Sequence, residues 1–160
     1  MNFLEDMQVG MLREIGSYTF TAEAIKAFAA QYDPQPFHLD EEAGRASLFG
    51  GLAASGWHVG SVGMKLIVAD GQRRSAEMKK RGERVAVWGP SPGFVEMRWP
   101  KPVLAGDTVS FSSVVESVRN TASRPGWGIV QARNTSVNQR GEVVMSFRST
   151  AFVPSRGDTA

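Results

Sequence analysis

The stretch from Leu52 to Ala69 constrains the fold more than any other part of the chain. Apolar side chains recur on nearly every face of a helix drawn through these residues. One face carries Ala53, Trp57, Met64 and Val68, and the others carry Val59, Val62, Leu66 and Ile67. A helix that is apolar nearly all round is buried. The sequence therefore predicts one long central helix that the rest of the chain surrounds.

A membrane-spanning helix is the rival interpretation of the same region. Nineteen uncharged residues run from Ala46 to Met64, nominally enough to cross a bilayer. Five of them are glycine, three are serine and one is His58, which is too polar a content for a membrane helix. The first six residues contain two acids where a signal peptide would need basic residues. We therefore expect a cytoplasmic protein with no membrane segment and no export signal.

Residues before and after this helix give the fold class. A strand over 13–20 and a helix over 21–32 come first, and from Val85 onward the apolar period switches to two, which predicts strands. Residues 138–141, Asn-Gln-Arg-Gly, have the composition of a hairpin turn. The polar residues predicted on the solvent side of these strands are Ser112, Ser113, Asn134, Ser136 and Ser149. This order predicts a single α+β domain over 1–153, with an antiparallel sheet and a flexible tail over 154–160.

Charge and cysteine content exclude several classes of function. The chain has 18 basic and 16 acidic residues, a formal net charge of +2, which is too near neutral to indicate nucleic-acid binding. It has no cysteine, so disulfides, thiolate nucleophiles and zinc–thiolate sites are excluded.

One local exception to this balance is the segment from Asp70 to Arg84, with six Lys or Arg residues against three acids. The sequence predicts a connector exposed to water there. The alternative is a docking surface for a phosphate-bearing ligand.

Asp33 and His38 stand five positions apart in a segment that two prolines stiffen. Pro34 and Pro36 fix their own φ angles and push the residues before them, Asp33 and Gln35, toward extended conformations. A rigid, non-helical segment can aim a carboxylate and an imidazole at one small volume, as acid–base chemistry requires. The alternative interpretation is a capping carboxylate beside a surface histidine.

Three motifs resemble those of the MaoC-like dehydratases. Residues 32–40, Tyr-Asp-Pro-Gln-Pro-Phe-His-Leu-Asp, resemble the hydratase-2 motif of that family. Residues 49–56, Phe-Gly-Gly-Leu-Ala-Ala-Ser-Gly, resemble the run that ends in the glycine opening the family's central helix. Residues 102–109, Pro-Val-Leu-Ala-Gly-Asp-Thr-Val, resemble its motif leading into a strand. The three occur in order and together are specific.

The resemblance implies a hot-dog fold, in which a curved antiparallel sheet wraps one long helix. It implies (R)-specific hydration of trans-2-enoyl-CoA thioesters, or the reverse dehydration, with Asp33 and His38 as the catalytic pair. The backbone N–H of Gly56 would donate to the thioester oxygen. The substrate-binding residues that it implies are Gln35, Phe37 and Trp57. No metal or cofactor is expected beyond the CoA thioester substrate. A homodimer or a dimer of dimers is expected.

The chain departs from the family pattern at four positions. Gln35 replaces the usual Asn, and Ser55 replaces a common His before the helix glycine. Trp57 and His58 follow that glycine where small aliphatic residues are more frequent. We expect Trp57 to be either a core aromatic or a residue at the mouth of the acyl tunnel, and His58 to be a structural or surface histidine.

Two alternative functions share the fold. Hot-dog thioesterases place a carboxylate on the central helix, and no Asp or Glu occurs between Gly51 and Ala69, which argues against that activity. A non-catalytic domain that binds acyl thioesters would be expected to have lost the Asp–His pair, and both members are present.

Overall fold

The computed structural model describes residues 1–157 and consists of one antiparallel sheet packed against one long helix. In chain order the elements are β1 (Leu12–Thr19), α1 (Ala22–Tyr32), α2 (Pro36–Leu39), α3 (Glu41–Ala46), α4 (Gly56–Lys80), β2 (Gly93–Arg98), β3 (Thr108–Asn120), β4 (Trp127–Asn138) and β5 (Val143–Pro154). A short 3-10 helix, Leu4–Asp6, precedes them. The strands lie in the order β1-β3-β4-β5-β2, and every neighbouring pair is antiparallel. This architecture confirms the predicted α+β hot-dog fold.

The core lies between α4 and the sheet. Its largest fully buried side chains include Phe20, Ile25, Val59 and Met145. Gly63 lets α4 approach the sheet closely, because a Cβ there would lie 3.1 Å from a ring carbon of Phe111. The apolar pattern of the helix and the alternation of the strands therefore meet in one core.

The bounds predicted for α4, 52–69, are wrong at both ends. Residues 52–55 are extended, since Ala53 pairs with Leu104 as an isolated β-bridge. The helix then begins at Gly56 with Ser55 as its N-cap, and it continues to Lys80. Lysines in the last turn favour this extension, because cations stabilise the C-terminal end of a helix dipole.

The prediction that α4 is buried all round is also wrong. Trp57, Met64 and Val68 are 58%, 55% and 49% exposed, so they form an apolar stripe along the outer side of the helix. The physical reason is that the sheet of one chain covers only one face of α4.

The basic segment over 70–84 is helical through Lys80 rather than a connector. Asp70 is buried and accepts hydrogen bonds from Arg13, Arg73 and Arg74. Arg73 and Arg74 belong to α4 itself, so Arg13 is the arginine that holds β1 against α4. Burial raises the pKa of Asp70, but the three guanidinium groups more than offset this and keep it below its usual value. Arg73 lies seventeen residues beyond Gly56, roughly 25 Å along the helix, which favours a structural role over ligand docking.

The motif at residues 102–109 places a buried carboxylate between two turns. Asp107 accepts hydrogen bonds from the Leu104 N–H at 2.9 Å, the Gln139 amide at 2.7 Å and the Arg140 guanidinium at 2.7 Å. It therefore ties the turn before β3 to the predicted hairpin turn at 138–141. Gly106 has φ +91° in this turn, a conformation that favours glycine.

The polar residues of the strands do not all face solvent. Asn134 and Ser136 are buried, on the side of β4 that also carries Val130, so their predicted exposure is wrong. The Asn134 amide donates to Ser149 Oγ at 2.9 Å, and this pair lines a cavity of about 230 Å³ between α4 and the sheet. The alternation of apolar and polar residues identifies the two faces of a strand, but it does not identify which face meets the helix.

The other predicted bounds differ less from the structure. The first strand after α4 begins at Gly93 rather than near Val85. β5 includes Pro154, and Arg156 donates to Asp6, whereas residues 158–160 of the predicted tail lie outside the described residues. Among residues 1–157 no helix has the length and apolar character needed to cross a bilayer.

Candidate active site

The segment between α1 and α3 brings Asp33 and His38 together. α1 ends at Tyr32, and Asp33 caps it with its N–H donating to the Ala29 carbonyl at 2.9 Å. The prediction that this segment is non-helical is wrong for residues 36–39, which form the single turn α2 with Pro36 in its first turn. Proline fits there because its φ is already helical and no N–H is required.

His38 is buried and held by the backbone of residue 53. Its Nδ1 lies 2.7 Å from the Ala53 carbonyl oxygen, and its Nε2 lies 3.4 Å from Asp33 Oδ2. A carbonyl oxygen only accepts, so Nδ1 carries the proton of the neutral ring and Nε2 presents a lone pair. Because 3.4 Å exceeds an ordinary hydrogen bond, both Nε2 and Oδ2 can still bind a third group between or beside them.

Asp33 is held in its ionised form. Partial burial raises its pKa, but hydrogen bonds from Ser55 and Gln35, together with the neighbouring His38, bring that pKa below its usual value. The Gln35 amide donates to Asp33 Oδ1 at 2.8 Å, so the longer side chain that replaces Asn still orders the carboxylate. At neutral pH Asp33 is therefore an acceptor.

Gly56 supplies the first amide of α4. The N-cap hydroxyl of Ser55 accepts from the N–H of Trp57 at 3.2 Å, not from that of Gly56. Within residues 1–157 the Gly56 N–H has no acceptor. The start of a helix favours negative charge, so this N–H can donate to an oxygen that becomes anionic.

A cleft of about 570 Å³ joins these groups, a volume typical of small-molecule sites. All six residues predicted for the site line it: Asp33, Gln35, Phe37, His38, Gly56 and Trp57. Trp57 is 58% exposed and lies edge-on to Trp99 at 5.6 Å, so it forms the cleft wall and is not a core aromatic.

His58 points away from this cleft into a cluster of aromatic rings. It stacks on Phe28 of α1 with ring centres 4.6 Å apart and meets Phe20 edge-on at 5.1 Å. Its Nδ1 is buried and has no hydrogen-bond partner among residues 1–157. His58 is thus a structural histidine that packs α1, which ends one residue before Asp33, against α4, which begins at Gly56.

Three contributors to the site were missed by the sequence analysis: the Ala53 carbonyl, the Ser55 hydroxyl and Trp99. Ser55 was detectable, since serine before a glycine-rich helix start is a common N-cap, but the helix was predicted to begin earlier. The Ala53 carbonyl and Trp99 act through contacts between distant parts of the chain, for which no local signal exists.

Comparison with known proteins identifies relatives in sequence and in fold. The family model described as MaoC like domain matches residues 8–138. The MaoC-like dehydratase from Rhodospirillum rubrum is 37% identical, with a TM-score of 0.79 over 99% of this chain and 100% of that one. An (R)-hydratase from A. caviae, 20% identical over 94% of this chain and 99% of that one, has the same fold with a TM-score of 0.66.

A curated relative, the mesaconyl-CoA hydratase of Cereibacter sphaeroides, is 38% identical over 68 residues. The match covers 42% of this chain but only 19% of that enzyme.

The environment of His58 predicts a pH dependence of stability. Burial lowers its pKa from the usual 6.5, so below about pH 6.5 the unfolded chain binds a proton that the folded chain resists. The free energy of unfolding should therefore fall as the pH drops from 7.5 to 5. In His58→Phe this fall should be smaller, and stability at pH 7.5 should be equal or higher by up to about 1 kcal/mol, because a buried nitrogen without a partner is removed.

Chemical denaturation at several pH values measures both effects. Val153→Ala is the control: it removes buried methyl groups from a core cluster that does not contain His58, so it should lower stability at every pH without changing the pH dependence. An unchanged pH dependence in His58→Phe would show that another group is responsible.

Proposed function

Because the chain belongs to the MaoC-like dehydratase family, we propose that it is a hydro-lyase that adds water to trans-2-enoyl-CoA thioesters to give (R)-3-hydroxyacyl-CoA, or catalyses the reverse. The observation that supports this most is the meeting of Asp33 and His38 at 3.4 Å in the cleft that also contains the Gly56 N–H. Hydration of a conjugated thioester needs a proton acceptor for water, a proton donor for Cα and a donor to the enolate oxygen.

In the proposed reaction a water molecule binds Asp33 and His38 Nε2. Its proton moves to Nε2 while its oxygen adds to Cβ of the substrate. The electron pair of the double bond shifts toward the thioester oxygen, where the Gly56 N–H stabilises the developing charge. The His38 imidazolium then returns the proton to Cα, so H and OH are added and no redox or metal chemistry is needed.

The ionised Asp33 orients the water and stabilises the His38 imidazolium in this scheme. That role agrees with the direction of its pKa, because a carboxylate must be charged to stabilise a cation. The hydrogen bond between Nδ1 and the Ala53 carbonyl keeps the reacting nitrogen of the ring aimed at Asp33.

Thioester hydrolysis is the less favoured activity. The part of α4 that lines the cleft consists of Gly56, Trp57 and Val59, none of which is acidic. Asp70, the first carboxylate of α4, is fourteen residues from Gly56, roughly 21 Å along the axis, and arginines surround it.

Substitution of either member of the pair tests the proposed activity. Asp33→Asn and His38→Gln should each lower kcat for crotonyl-CoA hydration at least about 10²-fold, since the first removes the charge that stabilises the imidazolium and the second removes the acid–base group. Loss of the enoyl-thioester absorbance measures the rate, and chromatography of the product identifies (R)-3-hydroxybutyryl-CoA. Glu42→Gln, an exposed acid close in sequence, is the control and should keep the parent rate.

Near-parental rates in either variant would contradict the assignment of the pair. Release of free CoA by the parent protein would instead indicate a thioesterase, and binding without reaction would indicate a non-catalytic domain.

We also propose that two copies of this chain pair along β2. This strand is an edge of the sheet, and Phe94 and Val95 on it are 51% and 55% exposed. An edge strand offers unpaired N–H and C=O groups, and exposed apolar side chains beside them favour a partner. Light scattering should give twice the mass of the chain, and Val95→Lys should shift the protein toward the monomer. A monomeric parent protein would contradict the pairing.

A further inference from the structure

We propose that Trp99 is a positioning residue, which holds Gly56, the first residue of α4, so that the Gly56 N–H points into the cleft. The inference rests on the proposed function, in which that N–H stabilises the enolate oxygen. Trp99 follows the end of β2 and lies 43 positions from Gly56 in sequence. It contacts Gly56 in two independent ways.

The first contact is a hydrogen bond. Trp99 Nε1 donates to the Gly56 carbonyl oxygen at 3.1 Å. Since the carbonyl and the N–H of a residue are joined through its Cα, fixing the carbonyl restricts the direction of the N–H. The restriction matters here because glycine has the widest backbone freedom of any residue and lies in the first turn of α4, where helices fray.

The second contact is steric. The indole ring of Trp99 packs directly on the Gly56 Cα: a Cβ at this position would lie 2.8 Å from Cε2 and 3.0 Å from Cδ2. Any side chain at residue 56 would therefore displace the indole. Gly56 is needed at this position because the indole occupies the space, and not because of a positive φ angle.

Ser55 completes the arrangement by leaving the Gly56 N–H unused. An N-cap hydroxyl satisfies one of the first amides of a helix, and that of Ser55 bonds the N–H of Trp57. The capping hydrogen bond thus stabilises α4 one residue further along. Trp99 holds Gly56 from its carbonyl side, and the N–H remains available to a ligand.

The sheet in turn fixes Trp99. Three residues before it, Glu96 has φ +57° in an irregular part of β2, a strained conformation for a residue other than glycine. Its carboxylate accepts hydrogen bonds from Arg133 and Arg148 at 2.9 Å each, and both arginines also bond Glu116 on β3. This network of four charged side chains spans four strands and stabilises the path of the chain that leads to Trp99.

Trp99→Phe tests the proposal, because it removes the hydrogen bond and keeps an aromatic ring. Loss of an oxyanion donor typically costs 10²–10³ in rate, so misdirecting one should lower kcat about 10-fold or more. KM for crotonyl-CoA should change less than about 3-fold, since the thioester oxygen becomes anionic only on the way to the transition state. In ¹⁵N spectra the Gly56 amide resonance should shift, and the Trp57 amide, whose N–H bonds Ser55 Oγ in the same first turn, should exchange its hydrogen faster.

Trp88→Phe is the matched control. Trp88 Nε1 also donates to a backbone carbonyl, that of Asn2 at 2.8 Å, but Trp88 is not among the residues that line the cleft. This variant should change neither kcat nor the Gly56 resonance.

An unchanged kcat and an unchanged exchange rate of the Trp57 amide in Trp99→Phe would overturn the proposal. So would a change confined to KM, which would make Trp99 a wall of the substrate site only, or an equal loss in Trp88→Phe. If the parent protein proved inactive, the proposed function would fail. The exchange rate of the Trp57 amide would then still decide whether Trp99 holds the first turn of α4.

Discussion

The site depends on the backbone of residues 53–56, an extended segment that leads into the first residue of α4 and is held in place by pairing with residues 103 and 104. Ala53 forms a β-bridge with Leu104, and the Ala54 N–H donates to the Val103 carbonyl at 2.8 Å. Three of these four residues then act on the site. The Ala53 carbonyl fixes the His38 tautomer, the Ser55 hydroxyl stabilises Asp33 and caps α4, and Gly56 presents its N–H.

Elements before and after this segment in the chain constrain its position. The helix that ends just before Asp33 is packed against α4 through the rings of Phe28 and His58. On the other side, the chain leaving β2 places Trp99 on Gly56. The proposed catalytic pair and the proposed oxyanion donor therefore belong to different elements, and side-chain packing between those elements sets their geometry.

Local sequence features made part of the fold and of the candidate site predictable. Pro34 ends α1 before Asp33, and the Asn-Gln-Arg-Gly sequence forms the turn between β4 and β5. The bounds of α4 were not predictable to the same degree. Its first residue is set by the β-bridge of Ala53, and the polar face of β4 is buried because of where α4 lies. All six predicted site residues line one cleft, whereas Trp99 and the Ala53 carbonyl depend on contacts between residues far apart in sequence.

In the proposed mechanism one Asp33–His38 pair handles both the hydroxyl and the proton. This pair would lie on one side of the double bond of a substrate in the cleft, so both groups must arrive on the same face. Hydration of crotonyl-CoA in D₂O, followed by NMR of the isolated 3-hydroxybutyryl-CoA, measures this directly. The mechanism predicts a single deuterium at C2, added syn to the hydroxyl, and an (R) configuration at C3. Anti addition, or a mixture of syn and anti products, would contradict it.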